Sequence, residues 1–301
     1  MTDADLARYE TRFPVPASHK RFAALKEYLY RVAPVENALD GAADVVLCDA
    51  FLQSLPWLTS ALAGKRVVWL TPSENETKER GWLERFLVEQ NLAGVHEIVA
   101  IGGGIVINAA SYLAERLACD LVYVPTTVLA MADAAISGKV RANIVEGDVC
   151  RKHAYKSYWE PNLVVLDPRF LDGLPESQIT VGMGEIVKHG VYQSKTFLEY
   201  LANDTFDPFA DRHALLKSIV WTVELCAVCY TVDPEETPEG GGCVMRGAHD
   251  ASDKIEEQTC FAIPHGTAVA IAMFQEKQQE RSPLLPLLEI VYPKMRMSTS
   301  I

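Results

Sequence analysis

IVAIGGGIVINAASYL (98–113) is a short β-rich run, three glycines and then a helical segment, and its reading decides the fold. Glycines at a strand-to-helix turn let the backbone approach a pyrophosphate at a helix N-terminus. The stretch is not G-x-G-x-x-G, however, and tight turns use glycine for steric reasons alone. Working outward, ADVVLCD (43–49), KRVVWLT (65–71), EIVAIGG (97–103), DLVYVP (120–125) and NLVVLD (162–167) are Val/Ile/Leu-rich runs of strand length. Nearly continuous apolar strands suit a sheet covered on both faces. Between them, residues 76–91 place Trp82, Leu83, Phe86, Leu87 and Gln90 along one helical face, and 105–118 follow the glycine triplet as a helix. The alternation predicts a doubly wound, Rossmann-like α/β domain with right-handed crossovers.

After about residue 170 the pattern becomes helical. LPESQITVGMGEIVKHGVYQ opens with Pro175 and Glu176 like a helix start, and DRHALLKSIVWTVELCAVCY, HDASDKIEEQTC and HGTAVAIAMFQEKQQE are further helices. PEETPEGGG (234–242) reads as a loop. The expected organisation is a Rossmann-like domain over 1–170 and an all-helical domain over 171–301.

Composition excludes several classes. The 301 residues carry 28 Lys+Arg against 40 Asp+Glu, a net charge of −12, with 49% apolar residues. An acidic chain without a long basic run argues against nucleic-acid and anionic-membrane partners. The longest uncharged stretch, Ile98 to Ala114, contains the glycine triplet, Asn108 and Ser111 and does not read as a membrane span. The N-terminus, MTDADLARYETRF, lacks the apolar core of a secretory signal, so a cytoplasmic location is expected. Seven cysteines are an odd number, and Cys48, Cys119, Cys226 and Cys229 sit in apolar context and read as buried thiols. Cys226 and Cys229 form C-x-x-C without a second pair to complete a four-thiolate site.

The series GGG (102–104), VPTT (124–127), Asp133, Lys139, Asn143, DPRFLDGLP (167–175), GEIVKHG (184–190), His249 and PHGTAVAIAM (264–273) occurs in one order. It resembles the sugar phosphate cyclase family, of which 3-dehydroquinate synthase is the best-known member, over roughly residues 43–275. The resemblance implies an N-terminal NAD-binding domain and a C-terminal helical domain holding zinc or cobalt, with catalysis in the cleft between. It also implies a sugar phosphate substrate and a homodimer. Family members oxidise a hydroxyl with NAD, eliminate phosphate, reduce the ketone again and close a carbocycle by aldol addition.

Carried over residue by residue, the resemblance makes Glu185, His249 and His265 the metal ligands, with His189, one turn after Glu185, as a competitor. Lys188 matches the lysine of the family's Glu-x-x-Lys helix, and Asp133 and Lys139 its acidic and basic pair, the aspartate lying by the nicotinamide. Asn143 and Lys152 complete the candidate catalytic set. The two candidate lysines 139 and 152 also admit a plainer reading as solvated loop residues. For NAD the candidates are Gly103 and Gly104 through their N–H groups, Thr126 and Thr127 through hydroxyls, Asp49, Lys78 and Asp133.

Departures from the family pattern are numerous. Asn108, Asn75 and Phe51 replace an Asp, a Glu and an Asn around the cofactor. Around the substrate, the family's Arg, Asn and second His become Gly242, Arg246 and Asp253, and a helix lysine becomes Cys226 or Val228. Leu117 stands where an arginine crosses the dimer interface. A phosphate together with a carboxylate needs several cations to offset desolvation, so 3-dehydroquinate synthesis itself is disfavoured. Ser252 and the Asp133-Ala134 pair lie nearer the branch that cyclises sedoheptulose 7-phosphate, whose substrate has no carboxylate. Only 28 residues follow Met273, which makes the chain short for the family at its C-terminus. At −12 overall, a phosphorylated substrate requires Lys139, Lys188, Arg246 and Lys152 to form a local positive site. The competing expectations are a cyclase-derived binding or regulatory protein and a metal- and NAD-dependent polyol dehydrogenase.

Overall fold

The computed structural model describes residues 3–41, 43–147, 149–235, 237 and 246–300. The chain forms two compact units, an α/β unit over residues 7–170 and a helical unit over 171–301 together with residues 1–6. The first helical turn, α1 (Asp3–Leu6), is thus part of the helical unit, where Leu6 is buried and the turn lies against the long helix Arg212–Val232.

In the α/β unit the chain runs β1 (Glu10–Pro14), β2 (Glu27–Val32), α2 (Glu36–Leu39), β3 (Val45–Asp49), α3 (Pro56–Ala61), β4 (Val67–Leu70) and α4 (Arg80–Glu89). It continues through β5 (Glu97–Gly102), α5 (Gly104–Leu117), β6 (Asp120–Pro125), the hairpin β7 (Lys139–Glu146) and β8 (Val149–Tyr158), and β9 (Leu163–Leu166). One seven-stranded sheet has the order β1-β2-β9-β6-β5-β3-β4, parallel throughout except for β1 against β2. β3 is buried along its whole length, and β5 and β6 are buried at all but their first residues, as strands covered on both faces must be. These are the runs whose apolar continuity marks them in the sequence.

Two regions differ from expectation. β1 and β2 carry Glu10, Arg12, Glu27 and Arg31, so no continuous apolar run announces them. They pair through one buried face, on which Phe13 and Tyr28 stack at 5.1 Å. Residues 139–158, where the sequence admits a plainer reading of Lys139 and Lys152 as solvated loop residues, form the separate antiparallel hairpin β7–β8, turning at Gly147, whose φ is +61°. Lys139, Asn143 and Lys152 therefore sit on strands. The period-2 signal was masked because Arg141, Lys156 and their neighbours alternate with few large apolar residues; Val140 and Ala142 supply the buried side of β7.

The helical unit holds α6 (Glu176–Tyr192), α7 (Lys195–Ala202), α8 (Arg212–Val232), α9 (His249–Gln258), α10 (His265–Gln279) and α11 (Leu285–Lys294). Pro175 precedes the first residue of α6, Ser194 Oγ accepts from Phe197 N, and Asp211 accepts from His213 N and Ala214 N to cap α8. By length and composition α8 could cross a membrane, but half of that stretch is buried in its own unit, including Leu215, Ile219 and Val223. Cys48, Cys119 and Cys226 are buried free thiols and Cys229 is partly buried. Most of the loop expected at 234–242, Gly242 included, lies outside the described residues.

The position of the candidate site follows from the contact between α6 and α10. A Cβ on Gly184 would lie 2.0 Å from the carbonyl oxygen of Gly266, and one on Gly266 would lie 1.8 Å from that of Val181. Only glycine permits this approach, and it places Glu185 and His265, the immediate neighbours of the two glycines, across one helix crossing.

Candidate metal centre and cofactor residues

Glu185, His249 and His265 come from three helices, α6, α9 and α10, and meet. Each offers one ligand atom, and these atoms lie within 4.8 Å of one another. Glu185 Oε1 is 3.2 Å from His265 Nε2 and 3.7 Å from His249 Nε2, and the two rings are 5.3 Å apart. His265 is the first residue of α10, after Pro264, and His249 the first of α9, after Ala248 in a left-handed conformation (φ +63°). His249 Nδ1 faces the carbonyl oxygen of Gly247 at 3.1 Å, and His265 Nδ1 faces Glu256 Oε1 at 2.7 Å.

Glu185 is fully buried, and among the described residues neither carboxylate oxygen has a hydrogen-bond partner of good geometry. Burial alone would raise its carboxyl, but the Lys188 ammonium, with His265 and His249, outweighs that and holds it well below the usual range. The ion pair from Lys188, three residues on in α6, is itself buried. A buried carboxylate paired with Lys188 and faced by two imidazole Nε2 atoms is a donor set of the kind that binds zinc or cobalt.

His189 does not join this group. It is buried, its Nδ1 meets Gln193 Oε1, and its Nε2 lies 3.6 Å from Cys226 Sγ. Gln193 Nε2 donates in turn to Cys229 Sγ. Among the described residues the C-x-x-C pair takes part in no metal-binding cluster. Arg246 turns to Asp250, an exposed i,i+4 pair at 2.9 Å, and so does not supply the inward cation expected of it. Ser252 is buried and donates to the carbonyl oxygen of its own helix at His249.

The candidate cofactor residues occupy the α/β unit. Gly103 precedes α5 in extended backbone and Gly104 opens the helix, and among the described residues no side chain caps its first turn. A Cβ at Gly103 would meet Thr127 Cγ2 at 3.2 Å, and one at Gly104 would meet Ala134 at 3.4 Å. Thr126, buried, and Thr127 follow β6; Thr127 Oγ1 is used locally, accepting from Ala130 N. Asp133 is half-buried in the π-helical turn Ala130–Ala134. Asp49 ends β3, accepts from Phe51 N, and has its carboxyl pushed up by burial.

Lys78 and Asn143 are drawn together by a residue the sequence reading left unassigned. Glu74 Oε2 is 3.1 Å from Lys78 Nζ and accepts from Asn143 Nδ2 at 2.9 Å. The carboxylate expected at position 75 is thus supplied one residue earlier. Asn143 is fully buried at an irregularity in β7, where its Oδ1 accepts from His153 N. Lys139 opens β7, half-buried, and Lys152 is buried on β8. Glu256 was also missed, although its spacing from His249 and Asp253 (i, i+4, i+7) puts all three on one face of α9.

Comparisons with known proteins give the family and the fold. The family model described as 3-dehydroquinate synthase N-terminal matches residues 70–181, and its C-terminal counterpart matches 182–286. A 3-dehydroquinate synthase from Geobacter sp. (strain M21) is 33% identical over 227 residues, covering 72% of this chain and 61% of the relative. The chain spans about half the length of several curated relatives that it matches. In fold it is similar to ValA, the 2-epi-5-epi-valiolone synthase from Streptomyces hygroscopicus subsp. jinggangensis 5008, solved with NAD+ and Zn2+ bound. That likeness has a TM-score of 0.78 at 22% identity and covers 92% of this chain and 83% of the other. A 2-deoxy-scyllo-inosose synthase complexed with carbaglucose-6-phosphate, NAD+ and Co2+ follows at TM-score 0.72 and 19% identity, covering 95% and 81%. Both halves of the family's paired models match in order along one chain, and the protein belongs to the 3-dehydroquinate synthase-like family of sugar phosphate cyclases.

Proposed function

We propose that the chain is an NAD- and divalent-metal-dependent sugar phosphate cyclase that eliminates phosphate and closes a carbocycle in a specialised pathway. The observation that carries this reading is the convergence of Glu185, His249 and His265 around a buried carboxylate. NAD+ with Zn2+ in ValA, and with Co2+ in 2-deoxy-scyllo-inosose synthase, supports the same pair of cofactors here. When bound, NAD would take up and return a hydride, and the ion would polarise the reacting oxygen.

The protein's own groups then have separate tasks. The uncapped N–H groups at the start of α5 bind the pyrophosphate, and Gly103 and Gly104 keep that surface free of side chains. Asp49 accepts from the nucleotide's hydroxyls, with Lys78 and Thr126 beside the cofactor. After the family, Asp133 would serve the nicotinamide and the reacting hydroxyl. Lys139, Asn143, Lys152 and Lys188 bind the anionic substrate, and Lys188 also keeps Glu185 ionised for ligation. Of the two positions open for the family's helix lysine, Cys226 is buried beside His189 and Val228 is 65% exposed, so neither offers a cation. A substrate with phosphate but no carboxylate fits this reduced charge, which favours sedoheptulose 7-phosphate. The reading extends to a cytoplasmic homodimer, after the family.

The test is incubation of metal- and NAD-loaded protein with sedoheptulose 7-phosphate, glucose 6-phosphate and the acyclic dehydroquinate precursor, following phosphate release and NADH absorbance. Phosphate release from sedoheptulose 7-phosphate without net NADH is expected. Steady NADH accumulation without phosphate would instead make the protein a polyol dehydrogenase. Protein that binds neither metal nor NAD would be a cyclase-derived binding or regulatory chain.

A further inference from the structure

His249 and His265 are oriented by different kinds of acceptor. His249 Nδ1 faces a backbone carbonyl, that of Gly247, whereas His265 Nδ1 faces the carboxylate of Glu256 at 2.7 Å. Glu256 is only 3% exposed and lies in the last turns of α9, whose first residue is His249. A carboxylate at this distance is satisfied by an Nδ1–H donor, the tautomer that the contact favours for His265. In that tautomer the lone pair is on Nε2, the atom 3.2 Å from Glu185 Oε1.

We propose that Glu256 is a positioning residue for the metal centre: it fixes the ring orientation and the Nε2-ligating tautomer of His265, and its charge raises the basicity of that nitrogen. This inference rests on the metal-binding reading above. The same helix thus supplies one ligand, His249, and the orienting carboxylate of another, His265, whose two ring nitrogens face α9 through Glu256 and α6 through Glu185. Asp253 lies within 4.8 Å of Glu256 and His265, ligand atom to ligand atom, and the three could be mistaken for a second cation site. The 2.7 Å contact argues otherwise, because Nδ1 cannot hold a proton for Glu256 and a metal ion together.

The experiment titrates the metal-free full chain with Zn2+ and Co2+ against a chelator of known affinity, comparing wild type, Glu256→Ala and Glu256→Gln. The Co2+ visible spectrum, the metal stoichiometry and the melting temperature of the metal-free protein are also recorded. Outer carboxylates of this kind are worth about 10–100-fold in metal affinity. Glu256→Ala should weaken both ions by that factor, keep one equivalent at saturation and change the Co2+ spectrum. Glu256→Gln, whose amide oxygen still accepts from Nδ1–H, should recover part of the loss. Metal-free melting temperatures should stay close to wild type, which separates orientation of a ligand from general support of the fold. If Glu256→Ala fails to fold, Glu256→Gln decides: weaker Co2+ binding upholds the proposal and wild-type affinity overturns it. Wild-type affinity in both variants overturns it while leaving the metal reading intact. Two equivalents in wild type and one in Glu256→Ala overturn it in favour of a second cation site. Wild type that binds neither ion overturns this inference and the metal reading together.

Discussion

At the start of α5 the chain passes through Gly102, Gly103 and Gly104 and leaves the first-turn N–H groups uncapped, whereas at the α6–α10 crossing Gly184 and Gly266 press two helices into backbone contact. In the first region glycine keeps side chains away from a surface where a ligand can approach. In the second it removes them from between two helices so that the next residues, Glu185 and His265, can meet. The first site is made of adjacent backbone groups and tolerates small adjustments. The second depends on three helices, and the groups that face Glu185 and His265, Lys188 and Glu256, are themselves buried.

The largest effect that would sharpen this contrast is expected from Glu185→Ala. It leaves Lys188 buried without its carboxylate, a change of about 3–5 kcal/mol in stability that denaturant unfolding would measure. Bound metal should disappear while NAD affinity, measured by titration on the folded protein, stays at the wild-type value. Retained metal would show that the ligand assignment is wrong. Gly266→Ala comes next, since its Cβ would sit 1.8 Å from the Val181 carbonyl and must drive α6 and α10 apart. Overpacking of this kind costs about 1–3 kcal/mol, and metal affinity should fall with it; unchanged metal binding would mean that the crossing does not position the centre.

Gly103→Ala tests the other side of the comparison. Its Cβ would meet Thr127 Cγ2 at 3.2 Å, which a small shift relieves, so unfolding should change little. NAD affinity should drop about tenfold, ~1.4 kcal/mol, with metal content untouched; a metal loss here would break the division between the two regions.

The smallest effect is at the surface pair of Glu36 and Arg169, 2.6 Å apart and both more than a third exposed. The hydrogen bond from Arg169 holds the Glu36 carboxyl below its usual range. A lowered folded value means that the stabilisation is present above the unfolded pKa of about 4.3 and is lost as pH falls through the folded value. Solvent screening limits it to about 0.2–1 kcal/mol. Glu36→Gln should therefore lower stability slightly at pH 7 and converge with wild type in acid, as unfolding curves at the two pH values would record.

Much of the fold could be read along the chain because its signals are contiguous. The runs ending in Asp49, Leu70, Gly102, Pro125 and Leu166 are rich in apolar residues and become β3, β4, β5, β6 and β9, four inner strands and one edge of the seven-stranded sheet. The hairpin carrying Lys139, Asn143 and Lys152 could not be read this way, since one face is small or polar and the register is set by pairing alone. Family-specific motifs made the Glu185, His249 and His265 set nameable from sequence. Nothing local to position 74 indicated that Glu74 would bridge Lys78 and Asn143, because Asn143 reaches it only through the fold of β7.

The sequence by itself determined the α/β unit followed by helices, the glycine turn at 102–104 and the residue types able to ligate a metal. All of these are encoded in neighbouring residues through propensity, periodicity and motif order. Only the tertiary structure decided that His189 faces Cys226, that Arg246 turns to Asp250, and that Glu256 and not Glu257 stands behind His265. Those choices depend on which helix face is covered and which atoms lie within about 3 Å, and helix packing sets both across long separations in the chain.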